Sequence, residues 1–317
     1  MAKNKKTDPN PSVSEEIMND LKSVLGVNPT VTISDLNKAL QGAILDRNNR
    51  AEPSFNGLSP AQMYNWINAP FEDLKLVKIK TPTDLSCSPV MRYLDLILNH
   101  AQEAGGSIKL TSDGALPPSL AKKCSDVFSE LPVSAANSCN YERQFTSDHG
   151  ADFHGLLYTE TLAQISKLSI TTDTHLHFNQ EVLNAYQANG VSAFYLAMLR
   201  SAIYNFNWAN FDHFNKDVDV QKPWLYMIWR ISKHGQIDKL IKEVNTAFPH
   251  VLPQFKKDQY FSQQQHFANS ITIRFLQYFM HMWGFVVLEF DPSDDEDDSP
   301  KSVKSQPLLR ETFLFDI

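Results

Sequence analysis

The sequence predicts an α+β, predominantly helical chain made of two or three winged-helix-like units with short β-hairpins. Apolar residues recur at helical spacing through most of its length. A strand-turn-apolar pattern occurs twice, as Ile108-Lys109-Leu110-Thr111-Ser112-Asp113-Gly114-Ala115-Leu116 and as Leu168-Ser169-Ile170-Thr171-Thr172-Asp173-Thr174-His175-Leu176. Each copy follows a helix-patterned stretch, Pro89 to Glu103 and Asp152 to Gln164, and helix followed by hairpin is how a winged-helix unit is written.

Taken in order, the elements begin after a Lys-, Asn- and Pro-rich lead-in. Ser14 is expected to cap a helix to about Leu25, and Ser34 a second through Leu36, Leu40 and Ile44. Asn56-Gly57 reads as a turn, and Ser59-Pro60 as an N-cap with proline at the first helical position, opening Ala61 to Ile67. Leu74 to Ile79 is a strand closed by Pro82. Pro89 to Glu103 is a helix stopped at Gly105-Gly106, and Pro117-Pro118 opens another over Ser119 to Leu131.

The second unit runs from the helix at Asp152 through the strand Leu168 to Ile170. A helix from Asn179 to Gln187 follows, then a strongly apolar one from Ser192 to Asn207. The last third holds helices Pro223 to Lys233, Ile237 to Phe248 and Phe261 to Trp283. Its hairpin pairs a strand Phe285 to Phe290 with Leu308 to Phe315. The expected domains are a disordered segment 1–12, a helical region with the first unit 13–131, a linker 132–151, a second unit 152–220 and a third 221–317. An acidic loop, 291–306, forms the tip of the third wing; lengthening a hairpin tip costs little entropy.

Composition narrows the function classes. The chain has 317 residues, 42% hydrophobic and 11% aromatic, enough for real cores. The net charge of −7 is concentrated at Asp291, Asp294, Asp295, Glu296, Asp297 and Asp298, so the remainder is nearly neutral. Cys87, Cys124 and Cys139 form no CxxC pair, which fits a reducing compartment, and the expected location is cytoplasmic. The lead-in has no apolar core of a signal peptide. Ile271 to Phe290 is broken by Arg274, Gln277, His281 and Glu289, short of the roughly 20 apolar residues a membrane span requires, so no membrane association is expected.

Leu58-Ser59-Pro60-Ala61-Gln62-Met63 with Pro70-Phe71, the stretch from Gly105-Gly106 to Leu116-Pro117, and Phe206-Asn207-Trp208-Ala209 together resemble a family of bacterial proteins. Members neighbour, or are fused to, SEC-C zinc-motif proteins. The resemblance covers roughly residues 55–290. It implies no activity and no catalytic residue, and the chain lacks a SEC-C cysteine cluster, so it implies no metal role.

Motifs for catalysis are weak, and enzyme is the minority reading. Asp173-Thr174-His175-Leu176-His177 resembles the metal-binding start of an amidohydrolase barrel, because alternate residues of a strand share a face. Such a barrel needs about 200 residues or more. The 140 residues after His177 read as long helices, and Asp113 holds the equivalent place in the first repeat without histidines. A hairpin turn is the preferred reading, a metal-dependent hydrolase using Asp173, His175 and His177 the alternative. There is no G-x-S-x-G elbow, and the one glycine pair ends a helix instead of opening one, so no cofactor is expected.

Binding readings are stronger. Between Gln221 and Arg274 stand eight Lys or Arg (Lys222, Arg230, Lys233, Lys239, Lys242, Lys256, Lys257, Arg274) against Asp238, Glu243 and Asp258. Lys256, Lys257, Gln264, Asn269 and Arg274 are the candidate nucleic-acid contacts, since lysine neutralises phosphate and Gln, Asn and Arg read base edges. A solvated helix face is the plain alternative. The helices before the first two hairpins are poor in basic residues, so those units fit protein partners or self-association, with Trp224, Trp229 and the 192–207 helix as anchors. Association is preferred over DNA binding on the sequence. The acidic loop would repel a phosphate backbone or cover the basic face until displaced.

Overall fold

The computed structural model describes residues 18, 19, 22, 32–130, 154–212, 214, 217–290 and 299–317. The predicted disordered segment 1–12, the linker 132–151 and the run Asp291 to Asp298 lie outside them, as does most of the first predicted helix. The chain divides into two compact units, Met1–Asn65 and Trp66–Ile317.

In the first unit α1 spans Ile33–Asn49. Its cap is Thr32, not the expected Ser34: Thr32 Oγ1 accepts from the Asp35 N–H while the Asp35 carboxylate accepts from Thr32, a reciprocal capping box. Asn56 and Gly57 have φ of 54° and 97°, the left-handed turn the Asn-Gly pair predicts. Ser59 caps α2 (Pro60–Asn68) with the same reciprocity, its N–H donating to Gln62 Oε1 at 2.7 Å.

The second unit is helical with small antiparallel sheets. Its centre is α3, Pro89–Glu103, capped by Ser88 and ended, as predicted, at Gly105 and Gly106, both at positive φ. Val90, Tyr93, Leu94, Ile97, Leu98 and Ala101 make one buried face, the spacing of a helix packed on one side. It packs against α4 (Pro118–Glu130) and α5 (His154–Ile165). Then come α6 (Gln180–Asn189), α7 (Tyr195–Tyr204), α8 (Trp224–His234) and α9 (Ile237–Ala247). A 3-10 turn, Val191–Phe194, replaces the first turn of the expected 192–207 helix. α10 (Gln263–Ser270) runs on directly as a π-helix, Ile271–His281.

The strands correct the predicted hairpins. β2 (Ser107–Lys109) has no return strand of its own: Thr111 to Ala115 closes a turn, and β2 pairs with β4 (His175–Phe178). β4 also pairs with β3 (Ser169–Thr171), so both copies of the repeated pattern lie in one sheet of order β2-β4-β3. Ile108 opposite Leu176 supplies the reason, since both side chains are buried on the same face. β5 (Val286–Glu289) pairs with β6 (Ser302–Ser305), not with 308–315. The acidic loop is therefore shorter than 291–306, and the rest of that stretch leads into β6. Pro307 starts α11 (Pro307–Thr312), and β7 (Phe313–Phe315) crosses to pair with β1 (Val77–Ile79). No helix among the described residues is long and apolar enough to cross a membrane.

Candidate functional site

Two buried rings fix the base of the loop that carries the predicted lysines. Phe255 and Phe267, 1% and 2% exposed, meet edge-to-face at 5.8 Å. Between them, Asp258 turns the chain: its Oδ1 accepts from the Tyr260 N–H at 2.8 Å and the Phe261 N–H at 2.7 Å, and its own N–H donates to the Phe261 carbonyl at 3.0 Å. The Phe261 and Tyr260 N–H groups hold the Asp258 carboxyl below the usual carboxylate range. Asp258 Oδ2 lies 3.0 Å from His266 Nε2, and Gln263 Nε2 donates to the Phe255 carbonyl at 2.8 Å. Ser262 and Gln265 close a capping box at the start of α10.

On this frame Lys256, Lys257, Gln264 and Asn269 are all exposed. Lys239 and Lys242 are exposed one helical turn apart on α9, and Lys233 at the end of α8. None of these lysines makes an ion pair with a described residue.

Arg274, the fifth predicted contact, is elsewhere. It is 1% exposed, on the π-helix, and its guanidinium forks onto Asp212, with Nε to Oδ2 at 2.8 Å and Nη2 to Oδ1 at 2.9 Å. Nη1 donates to the Val218 carbonyl at 3.1 Å and Nη2 also to the Phe214 carbonyl. Four of its five N–H groups are thus spent inside the protein, on Asp212, Phe214 and Val218, and the side chain cannot reach a phosphate or a base edge. It forms part of the wall of a cleft of about 460 Å³ with Trp208, Gln221 and Trp224.

Trp224 and Trp229, the predicted association anchors, are covered by their own chain at 2% and 4% exposure. Trp224 packs against Phe71, Tyr204 and Phe313, and Trp229 against Trp66 and Tyr226. The helix after Ser192 is covered on one side, at Tyr195, Met198, Leu199, Ala202 and Ile203, and open on the other, where Leu196, Ala197, Arg200 and Tyr204 are exposed. Arg230 lies 4.8 Å above the Trp229 ring and forks onto Glu243. His234 completes that group: the Gln236 N–H donates to its Nδ1 at 3.0 Å, which leaves Nε2–H to donate to Glu243 at 3.1 Å. Burial lowers its pKa, so the ring is neutral with both nitrogens committed.

His175 and His177 share one face of β4 and stack at 5.6 Å, as the period of a strand requires. Their polar neighbours are threonines, Thr174 Oγ1 at 2.8 Å from His175 Nδ1 and Thr172 Oγ1 at 3.5 Å from His177 Nε2. Among the described residues no group of three His, Cys, Asp or Glu is placed to hold a metal ion, and Asp173 lies in the β3–β4 turn. Cys124 is buried, its thiol pushed up to about 12 by burial and then by Glu160, so it is a thiol and not a nucleophilic thiolate at neutral pH. Glu160, 9% exposed, has an Oε1 with no hydrogen-bond partner among the described residues, and burial raises its carboxyl to about 7.

The residue missed in the sequence is Tyr260, 76% exposed at the head of the Asp258 turn. Its signal was present: an Asp that can turn the chain, followed by Ser-x-x-Gln, fixes whatever lies between them. Comparison with protein-family models, with curated proteins and with solved structures finds no match for this chain.

Proposed function

We propose that this protein is a non-enzymatic nucleic-acid-binding protein, making contact through the loop after Phe255 and the exposed side of α10. The observation that carries the reading is the exposure of Lys256, Lys257, Gln264 and Asn269 together on a loop and helix pinned from beneath by Phe255, Phe267 and Asp258. A partner with regularly spaced phosphates gains from such lysines by releasing its counterions. Protein association, favoured on the sequence, becomes the second reading, because Trp224 and Trp229 are covered by their own chain and are not available as its anchors.

The test is binding of the full chain to labelled DNA and RNA, single- and double-stranded, across a salt series. Affinity is expected to fall steeply with salt. A Lys256→Ala/Lys257→Ala variant should bind more weakly, with a salt slope smaller by about two. Absence of binding at low salt by correctly folded protein would overturn the reading, and the oligomeric state at rising concentration would then test association.

A further inference from the structure

A base in a single strand offers what a base in a duplex hides, a free π-face. Proteins that hold single strands without strong sequence preference therefore pair a stacking ring with nearby cations. Three features of the loop after Phe255 meet that requirement, and the inference rests on the nucleic-acid reading above.

The first is the ring. Tyr260 is the most exposed of the large apolar side chains described in the Trp66–Ile317 unit, and it contacts no other aromatic ring among the described residues. Phe261 beside it is different: it is 42% exposed and packs edge-to-face on His266 at 5.4 Å. One aromatic ring thus anchors the loop while its neighbour stands in water.

The second is rigidity. Backbone at Tyr260 and Phe261 is held by Asp258, Asp258 is held by His266, and the ends of the loop are tied by the Phe255–Phe267 contact and the Gln263 amide. A ring presented on a fixed backbone loses little freedom on binding, so more of the stacking energy appears as affinity.

The third is the balance of polar groups on α10. Reading a duplex through the major groove calls for a helix with several free amide or guanidinium side chains. α10 has eight residues and passes into a buried π-helix. Gln263 gives its amide N–H to the Phe255 carbonyl, Gln265 gives its amide oxygen to Ser262, and Arg274 is spent on Asp212. Gln264 and Asn269 alone keep both ends of their amides uncommitted among the described residues, enough to touch the edge of an unpaired base and few for reading a groove.

We propose that this loop is a base-stacking platform for single-stranded nucleic acid. Tyr260 takes the face of a base, Lys256 and Lys257 take the adjoining phosphates, and Gln264 meets the base edge.

The experiment compares three labelled probes at low salt: a short oligothymidylate, the same backbone with abasic sites, and a duplex of equal length. The full-length protein should bind oligothymidylate about tenfold more tightly than the abasic strand, the scale expected of one stacked base. Tyr260→Ala should bring oligothymidylate down to the abasic level with an unchanged salt slope, and Tyr260→Phe should keep the preference. Lys256→Ala/Lys257→Ala should weaken binding to both single strands. Equal binding of oligothymidylate and abasic strand, tighter binding of duplex, or no effect of Tyr260→Ala would overturn the platform while a lysine effect left the nucleic-acid reading standing. No binding of any probe would overturn both.

Discussion

Lys256 to Asn269 and Ile271 to His281 follow one another along the chain, and they treat positive charge in opposite ways. In the first stretch two lysines stand in water on a pinned loop. In the second, Arg274 is wholly enclosed and neutralised by Asp212. A charge count gives the two stretches the same sign and nearly the same weight. Only the partner decides: Asp212 lies 62 residues away in sequence and 2.8 Å away in space. A basic segment is open to a partner where its charges lack internal ones, and is a strut where they have them.

That contrast breaks first at Arg274. Replacing it with alanine leaves the Asp212 carboxylate, 5% exposed, without its counter-charge, and we expect a loss of about 3–5 kcal/mol in urea unfolding. Arg274→Lys should recover little, because an ammonium cannot fork onto both carboxylate oxygens. A loss under about 1 kcal/mol, the range of an exposed pair, would mean Arg274 is not the strut described.

Glu160 sharpens the comparison as a buried carboxyl whose Oε1 has no hydrogen-bond partner among the described residues. Its folded-state pKa is raised from 4.5 to about 7, so its contribution to stability is complete below pH 4.5 and is lost as pH rises through 7. His281 runs the other way. Burial lowers its pKa from 6.5 to about 4, so its contribution is complete above pH 6.5 and is lost as pH falls toward 4. The two slopes oppose each other between pH 4.5 and 6.5, where stability should be nearly flat. Glu160→Gln should stabilise the protein on the order of 3 kcal/mol above pH 8. It should also uncover the His281 slope in a pH series of unfolding curves.

At the far end of the π-helix, Gly284 has φ of 73° and a Cβ there would lie 2.1 Å from the Cys87 carbonyl oxygen. Gly284→Ala is expected to cost more than about 2 kcal/mol, since both the backbone angle and the neighbouring main chain must give way. The Lys256→Ala/Lys257→Ala pair should change stability least, within about 0.5 kcal/mol. Unfolding and binding measured on the same variants thus separate the enclosed stretch from the open one.

The sequence was most legible where the signal is local. α3 was bounded to the residue by its apolar period and Gly105-Gly106, and the Asn56-Gly57 turn and the Ser59 cap follow from neighbours in the chain. Strand partners were not legible, because a three-residue strand such as β2 carries no mark of which distant edge it joins. The polar β6, Ser302–Ser305, was absorbed into the acidic loop for the same reason. At the candidate site, four of five predicted contacts are exposed and Arg274 is not. Trp224 and Trp229 had the composition of an interface and the position of a core, which periodicity alone does not separate.

The pairing of β1 with β7 has a temporal consequence. Val77 to Ile79 leave the ribosome long before Phe313 to Phe315 exist, and the side chains of Thr83 and Glu311 beside that pairing are 228 residues apart in sequence. Until Phe313 to Phe315 have been made, β1 is an edge without its partner, open to pairing with other nascent chains. Closing so long a loop late also makes this contact a slow step relative to the local helices. The interval between β1 and β7 is therefore when this chain is most exposed to aggregation, and when a chaperone would be of most use to it.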